Sequence, residues 1–198
     1  TSSRYHGCMA KIFDQVLVID IESTCWQGPP PRGQLSEIIE IGICTVDLRK
    51  LERLEKRSIM VKPVRSRVSE FCTSLTTLTN DDVFHAGTLA DAVSILKKEY
   101  RALDRLWGSW GDYDRRQFEI VCRELTVPYP FGRSHLNIKT LFAIAFGDEA
   151  EIGLDTAFDR LGMKMEGTHH RGVDDAWNIA GIMCELFRRL RGTGERPA

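Results

Sequence analysis

The sequence predicts an α/β protein, a mixed β-sheet flanked by helices in a single domain, and three observations carry that prediction. The first third of the chain holds three β-type segments. The remainder alternates helical periodicity with short apolar runs. The 198 residues, 42% hydrophobic and 28% charged, are enough to bury one sizeable core. That core is expected over about 15–190, with frayed segments on either side.

The elements follow in order. Gln15 to Ile21 contains the continuous run Val16-Leu17-Val18-Ile19, the mark of a strand buried on both faces. Glu37 to Leu48 is a second long β segment, and Arg57 to Lys62 a third. Between the first two, Gly28-Pro29-Pro30-Pro31-Arg32-Gly33 reads as a loop, because proline lacks the donor that a ladder needs. Thr79-x-x-Asp82 and Thr88-x-x-Asp91 resemble capping boxes with Asp in place of Glu or Gln. The second opens a helix over Leu89 to Leu103, where Leu89, Val93 and Leu96 recur at helical spacing. Leu106-Trp107 predicts a short strand. Helices are predicted at Asp112–Leu125, Thr140–Phe146, Leu154–Leu161 and Val173–Leu190, with a further strand near His135–Ile138.

Composition narrows the function. With 27 basic against 28 acidic residues, net −1, the chain carries no uniformly basic nucleic-acid coat. Charge is nonetheless segregated: Arg49 to Arg67 holds eight Lys or Arg and two Glu, whereas Asp148 to Asp159 is acidic. Such patches suit a transient polyanion substrate or ordinary solvated faces. No apolar run approaches the length of a membrane span, and Thr1 to Gln15 lacks the apolar segment of a signal peptide. Cys8, Cys25, Cys44, Cys72, Cys122 and Cys184 lie far apart among mostly apolar neighbours, which predicts reduced core thiols in a cytoplasmic protein.

Three acidic constellations stand out. Asp20 and Glu22 lie two apart at the end of the most apolar strand, on the face of Val16 and Val18. They read either as ligands of Mg²⁺ or Mn²⁺ or as acids at a solvated strand end. In Asp112-Tyr113-Asp114, Asp112 occupies an N-cap position. Asp114 starts the inward stripe of Phe118, Val121 and Leu125, so it is the preferred acid. In His169-His170-Arg171-Gly172-Val173-Asp174-Asp175, Asp175 falls beside Ile179, Ile182 and Leu186. Asp174 falls on a polar arc with Asn178 and Glu185 and reads as solvated. His170, five residues before Asp175, is a natural general base. Zinc is disfavoured, since no second His or Cys stands at ligand spacing beyond the adjacent His169.

In the order D-x-E, D, H-x4-D, these features resemble the DEDDh (DnaQ-like) 3′–5′ exonuclease superfamily, with its ribonuclease H-like fold, and within it the Eri-type and KapD-type branch. The stretches Val18-Ile19-Asp20-Ile21-Glu22-Ser23-Thr24-Cys25-Trp26 and Ser36-Glu37-Ile38-Ile39-Glu40-Ile41-Gly42 carry the likeness. So do Phe71-Cys72-Thr73-Ser74-Leu75-Thr76, Gly111-Asp112-Tyr113-Asp114-Arg115-Arg116-Gln117-Phe118 and His170-Arg171-Gly172-Val173-Asp174-Asp175-Ala176. The likeness spans about Val16 to Leu190. Ser23 stands where the family often has Ala, and Thr77-Leu78 where it often has Gly-Ile.

The resemblance implies that Asp20, Glu22, Asp114 and Asp175 hold two divalent cations, Mg²⁺ or Mn²⁺. Glu22 and His170 would be catalytic, with His170 accepting the proton of the attacking water. Ile21, Ser23, Leu75, Leu78 and His170 would contact the terminal nucleotide of an RNA 3′ end, the favoured substrate, with single-stranded DNA as a further one. Trp26 and Trp110 read as stacking platforms or core, and Arg32, Lys62, Arg65 and Arg67 as phosphate contacts or solvated charges. The alternatives are a short-oligonucleotide scavenger and a non-catalytic nucleic-acid-binding module. From the residues alone a small-molecule phosphohydrolase also remains open. Nothing in the sequence identifies a protein partner.

Overall fold

A computed structural model describes residues 12–192. The predicted mixed sheet is present, with five strands in the order β3-β2-β1-β4-β5. The central strand β1 (Ile12–Ser23) carries the apolar run and is buried on both faces, as that run requires. It pairs antiparallel with β2 (Ile38–Asp47), which pairs antiparallel with the edge strand β3 (Glu52–Met60). On its other side β1 runs parallel to β4 (Arg105–Ser109), which runs parallel to β5 (His135–Asn137). Among the described residues seven helices accompany the strands: α1 (Glu70–Thr76), α2 (Asn80–Phe84), α3 (Leu89–Lys98), α4 (Tyr113–Glu124), α5 (Ile138–Phe146), α6 (Leu154–Leu161) and α7 (Gly172–Leu190). Among the described residues no helix is long and apolar enough to cross a membrane.

Strand alternation divides the core. Leu17, Ile19 and Ile21 face one side and pack with Leu89, Val93 and Leu96 of α3 and Phe118 and Val121 of α4. Val16 and Val18 face the other, against Ala176, Ile179, Ala180 and Met183 of α7. Two smaller clusters extend the core. One joins Ile39 to Val68, Cys72, Leu78 and Val83 near α1 and α2; the other joins Phe142 of α5 to Phe158 of α6 and Ile182 of α7. Both Thr-x-x-Asp capping boxes form, at the starts of α2 and α3.

Several boundaries differ from the sequence reading, each for a local reason. β1 starts at Ile12 because Ile12 pairs with Arg105 ahead of the apolar run. β3 starts at Glu52 rather than Arg57. Its first half is a charged, mostly exposed edge with no apolar pattern to announce it, a common safeguard against edge pairing. α3 ends at Lys98, and Arg101 then takes a left-handed turn into β4. α1 had no periodicity to reveal it; Ser69 caps it by accepting from the Cys72 N–H. Cys44, Cys72, Cys122 and Cys184 are buried free thiols, as read, whereas Cys25 is half-buried. Cys8, the Thr1-to-Gln15 leader reading before Ile12 and the tail after Gly192 lie outside the described residues.

One contact fixes how α7 meets the sheet. A Cβ on Gly42 would lie 1.9 Å from the Gly172 carbonyl carbon, and one on Gly172 would lie 3.0 Å from the Asp20 carbonyl oxygen. Only glycine at position 42 lets the first turn of α7 touch β1 and β2 together. Gly42→Ala should therefore lower the unfolding free energy in urea by about 3 kcal/mol, the upper range for overpacking. Gly28→Ala, in a loop with nothing within 4 Å of its Cβ, should shift it by about 0.5 kcal/mol or less.

Candidate active site

The site forms where β1 outruns its neighbour. The β1–β4 ladder closes at Val18–Gly108, so the Ile21 N–H on that side lacks a strand partner. Asp114, in the first turn of α4, supplies one: its Oδ1 accepts from the Ile21 N–H at 3.0 Å. On the β2 side the register shifts between Glu22 and Ser23, a bulge that ends the regular pleat at this point. Asp20 and Glu22 project from the α7 face of β1. Asp175, one turn into α7, meets them there, and ligand oxygens of Asp20, Glu22 and Asp175 all lie within 4.8 Å of one another.

All four acids and His170 line one cleft of about 340 Å³, together with Ile21, Ser23 and Leu75. Leu78 is a correction. It is 2% exposed, packed with Ile39, Val68, Cys72 and Val83 in a core cluster, and does not line the cleft. The left-handed turn at Thr77 separates it from Leu75, which is 39% exposed and faces the opening. Trp110 lines the cleft while its ring packs edge-on against Phe142; Trp26 does not line it. Neither do Arg32, Lys62, Arg65 or Arg67; Arg65 pairs with Glu124 instead. Asp112 sits at the N-cap of α4 without making a capping bond, so Asp114 is the inward acid, as the stripe predicted.

The histidines divide their work. His170 adopts a left-handed backbone, φ 61°, which aims its N–H at Asp175 Oδ2, 2.8 Å away. His169 Nδ1 stands 3.2 Å from Asp175 Oδ1, and the two imidazole rings stack with centroids 3.9 Å apart. The sequence reading set His169 aside. It lies in the site, and its nitrogen joins His170 and Asp175 in a second donor cluster. The loop before the histidines is pinned by α7. Asp174 is half-buried rather than freely solvated: it accepts from Lys56 Nζ at 2.6 Å and from the Thr168 N–H at 2.9 Å. Asn178, also read as part of a polar arc, is 1% exposed and exchanges two hydrogen bonds with the Glu166 backbone. This loop and β3 cover the polar arc of α7, which periodicity alone could not foresee.

Glu40 was missed as well. It is fully buried in β2, accepts from Arg171 Nε, the Gly172 N–H and the Ser58 hydroxyl, and so locks the start of α7 to the sheet. An acid amid the apolar run Ile38-Ile39-x-Ile41 was the available signal. Tyr113, Cys25 and Leu154 complete the cleft wall.

Burial raises the pKa of every one of the four acids. Glu22 is pushed up to about 8, by desolvation first and then by Asp175, Glu40 and Asp114. Asp114 rises to about 7 through desolvation, which its bond from Ile21 partly offsets. Asp20 is raised well above its ordinary value: crowding protein atoms desolvate it although part of its surface opens to the cleft, and Asp114, Asp175 and Glu22 add repulsion. Asp175 is raised by desolvation, against the pull of His169. His170 is lowered by burial and by His169, which keeps its ring neutral near pH 7. Arg171, whose charge lowers Glu22 slightly, is itself engaged with Glu40. Clustered hard oxygen donors of this kind are suited to divalent metal ions such as Mg²⁺ or Mn²⁺.

Comparison with known proteins agrees with this geometry. Residues 17–183 match the RNase T family model, described as an exonuclease. Human "3'-5' exoribonuclease 1" is 30% identical over 89% of this chain and 53% of its own length. The Bacillus subtilis protein named "Probable 3'-5' exonuclease KapD" is 28% identical over 82% of this chain and 80% of its own length. The chain thus spans about half the length of the human relative. Among solved structures, the nuclease domain of 3'hExo, a DEDDh family member bound to rAMP, superposes with a TM-score of 0.78. It is 27% identical, covering 94% of this chain and 97% of that one.

Raised carboxyl pKa values have a thermodynamic signature. An acid whose pKa climbs from 4.5 to about 8 on folding contributes stability that is complete below 4.5 and lost as pH rises through about 8. In chelator the melting temperature should fall across that interval, and Glu22→Gln should flatten the slope. Millimolar Mg²⁺ should raise the melting temperature more at about pH 8 than at about pH 6.

Proposed function

The chain belongs to the RNase T exonuclease family, and from that premise we propose that it hydrolyses polynucleotides from the 3′ end, RNA above all and single-stranded DNA in addition. The product is a nucleoside 5′-monophosphate. One observation carries this reading: four carboxylates from β1, α4 and α7 converge beside a neutral histidine in a cleft of nucleotide size.

Asp20, Glu22, Asp114 and Asp175 would hold two divalent cations, Mg²⁺ or Mn²⁺. When bound, such ions lower the pKa of a water and offset charge on the departing 3′ oxygen. The residues do the rest. Asp114 stays oriented by the Ile21 N–H, and Asp175 by the His170 N–H and the His169 ring. The neutral His170 imidazole accepts the proton of the attacking water, its lowered pKa keeping it ready to do so. Leu75, Trp110 and Leu154 give apolar walls for a base and ribose, and the Ile21–Ser23 backbone offers polar groups at the strand tip. The cytoplasmic placement drawn from the cysteines belongs to the same proposal, supported by thiols that pack as core atoms at Cys44, Cys72, Cys122 and Cys184.

The test is hydrolysis of matched RNA and DNA single strands with Mg²⁺ or Mn²⁺. Wild-type protein should release mononucleotides from the 3′ end, faster from RNA. Asp20→Asn should abolish turnover while the fold is kept. His170→Ala should lower kcat by about 10²–10⁴, the usual worth of a positioned general base. Retention of full activity in Asp20→Asn would reject the mechanism. Tight binding of RNA without turnover in either metal would favour a non-catalytic binding module.

A further inference from the structure

A second groove runs between the segment after β3 and α2. It has a volume of about 490 Å³ and is lined by Lys62, Ser66, Arg67, Asn80 and Phe84, with apolar surface from Pro63, Val64 and Val83. Phe84 is 60% exposed, and Lys62 Nζ sits 4.6 Å from its ring centroid. Flat aromatic surface beside mobile cations is the pairing that sequence-tolerant single-strand binders use, the ring for a base and the cations for phosphates. No acid lines this groove among the described residues. The nearby Asp82 carboxylate is taken up by the Thr79 N–H and hydroxyl.

The walls are held by groups whose arrangement nothing in the catalytic cleft explains. Glu37, 1% exposed, directs its carboxylate at the Val64 and Arg65 N–H groups, both at 2.8 Å, and at the Ser66 hydroxyl at 2.7 Å. Asn80 receives the Val68 N–H and donates to the Val68 carbonyl. The Lys62 N–H bonds the Gly87 carbonyl beyond α2. A buried carboxylate with three donors and a doubly bonded asparagine therefore fix the segment carrying Lys62 and Arg67 against α2, which carries Phe84.

That segment also touches the cleft. Ser66 Oγ and Thr24 Oγ lie 2.9 Å apart, and Thr24 sits between Ser23 and Cys25, both of which line the catalytic cleft. Ser66 of the groove is thus one buried contact, through Thr24, from the strand end that lines the cleft. The geometry points to an upstream subsite: the groove formed by Lys62, Arg67 and Phe84 binds the single-stranded RNA a few nucleotides 5′ of the terminus being cleaved. This rests on the exonuclease reading and adds to it an extended substrate, held at two places along its length.

Substrate length separates the two claims. K62Q/R67Q and Phe84→Leu are compared with wild type on a dinucleotide, too short to occupy both cavities, and on a labelled RNA of about ten nucleotides. For the longer RNA each variant should raise KM roughly tenfold with kcat unchanged, the scale of a lost stack or two lost phosphate contacts. Dinucleotide hydrolysis should stay within about twofold, and Phe84→Trp should restore the longer substrate. The salt dependence of KM for the longer RNA should become shallower by about 1.4 in K62Q/R67Q. Equal losses on both lengths, or none on either, would overturn the subsite. Were wild type to hydrolyse neither substrate, the exonuclease reading would fail. Anisotropy of the labelled RNA in chelator would then decide the groove alone: weaker binding by the variants upholds it, and unchanged binding assigns the patch to a protein partner instead.

Discussion

Mutual repulsion among Asp20, Glu22, Asp114 and Asp175 is the constraint around which this molecule is organised. Left to themselves, four acids sharing a desolvated cleft would separate or take up protons, and their raised pKa values record that tension. The scaffold resists separation by fixing each acid from a different direction. β1 is buried on both faces and delivers Asp20 and Glu22 together. The Ile21 N–H, left over where β4 stops, holds Asp114. The His170 N–H, turned inward by a left-handed backbone, holds Asp175. Divalent cations would convert the remaining repulsion into binding energy.

A second layer of buried acids does structural work without joining the first. Glu40 ties the start of α7 to β2 through Arg171 and Gly172, and Gly42 permits the close approach that makes this bond reachable. Glu37, three residues earlier on the same segment, faces the opposite way and orders the basic stretch after β3. One short sequence, Glu37-Ile38-Ile39-Glu40, thereby positions both α7, which carries Asp175, and the basic segment after β3. Buried carboxylates are costly unless hydrogen-bonded, and each of these has three donors.

Much of this was legible in the sequence because it follows from periodicity. The run Val16 to Ile19 identified the central strand, two-residue alternation put Asp20 and Glu22 on one face, and helical projection turned Asp114 and Asp175 inward. What stayed hidden depends on contacts between distant segments. Leu78 reads like Leu75, and only the turn at Thr77 sends one into the core and the other to the opening. Asp174 and Asn178 lie on a polar arc that looks solvated until β3 and the Glu166 loop cover it. His169 looked redundant beside His170, yet its ring reaches Asp175 because the backbone reverses between the two. The charged first half of β3 and the short helix α1 carry no apolar period, so nothing local announced them.

The central claim is that the four acids share a cleft as ionised groups because cations neutralise them. Anomalous diffraction from crystals grown with Mn²⁺ at neutral pH measures this directly. Two manganese peaks bounded by oxygens of Asp20, Glu22, Asp114 and Asp175 are the result expected. Manganese bound elsewhere on the surface, with the four carboxyl groups hydrogen-bonded to one another in its absence, would contradict it.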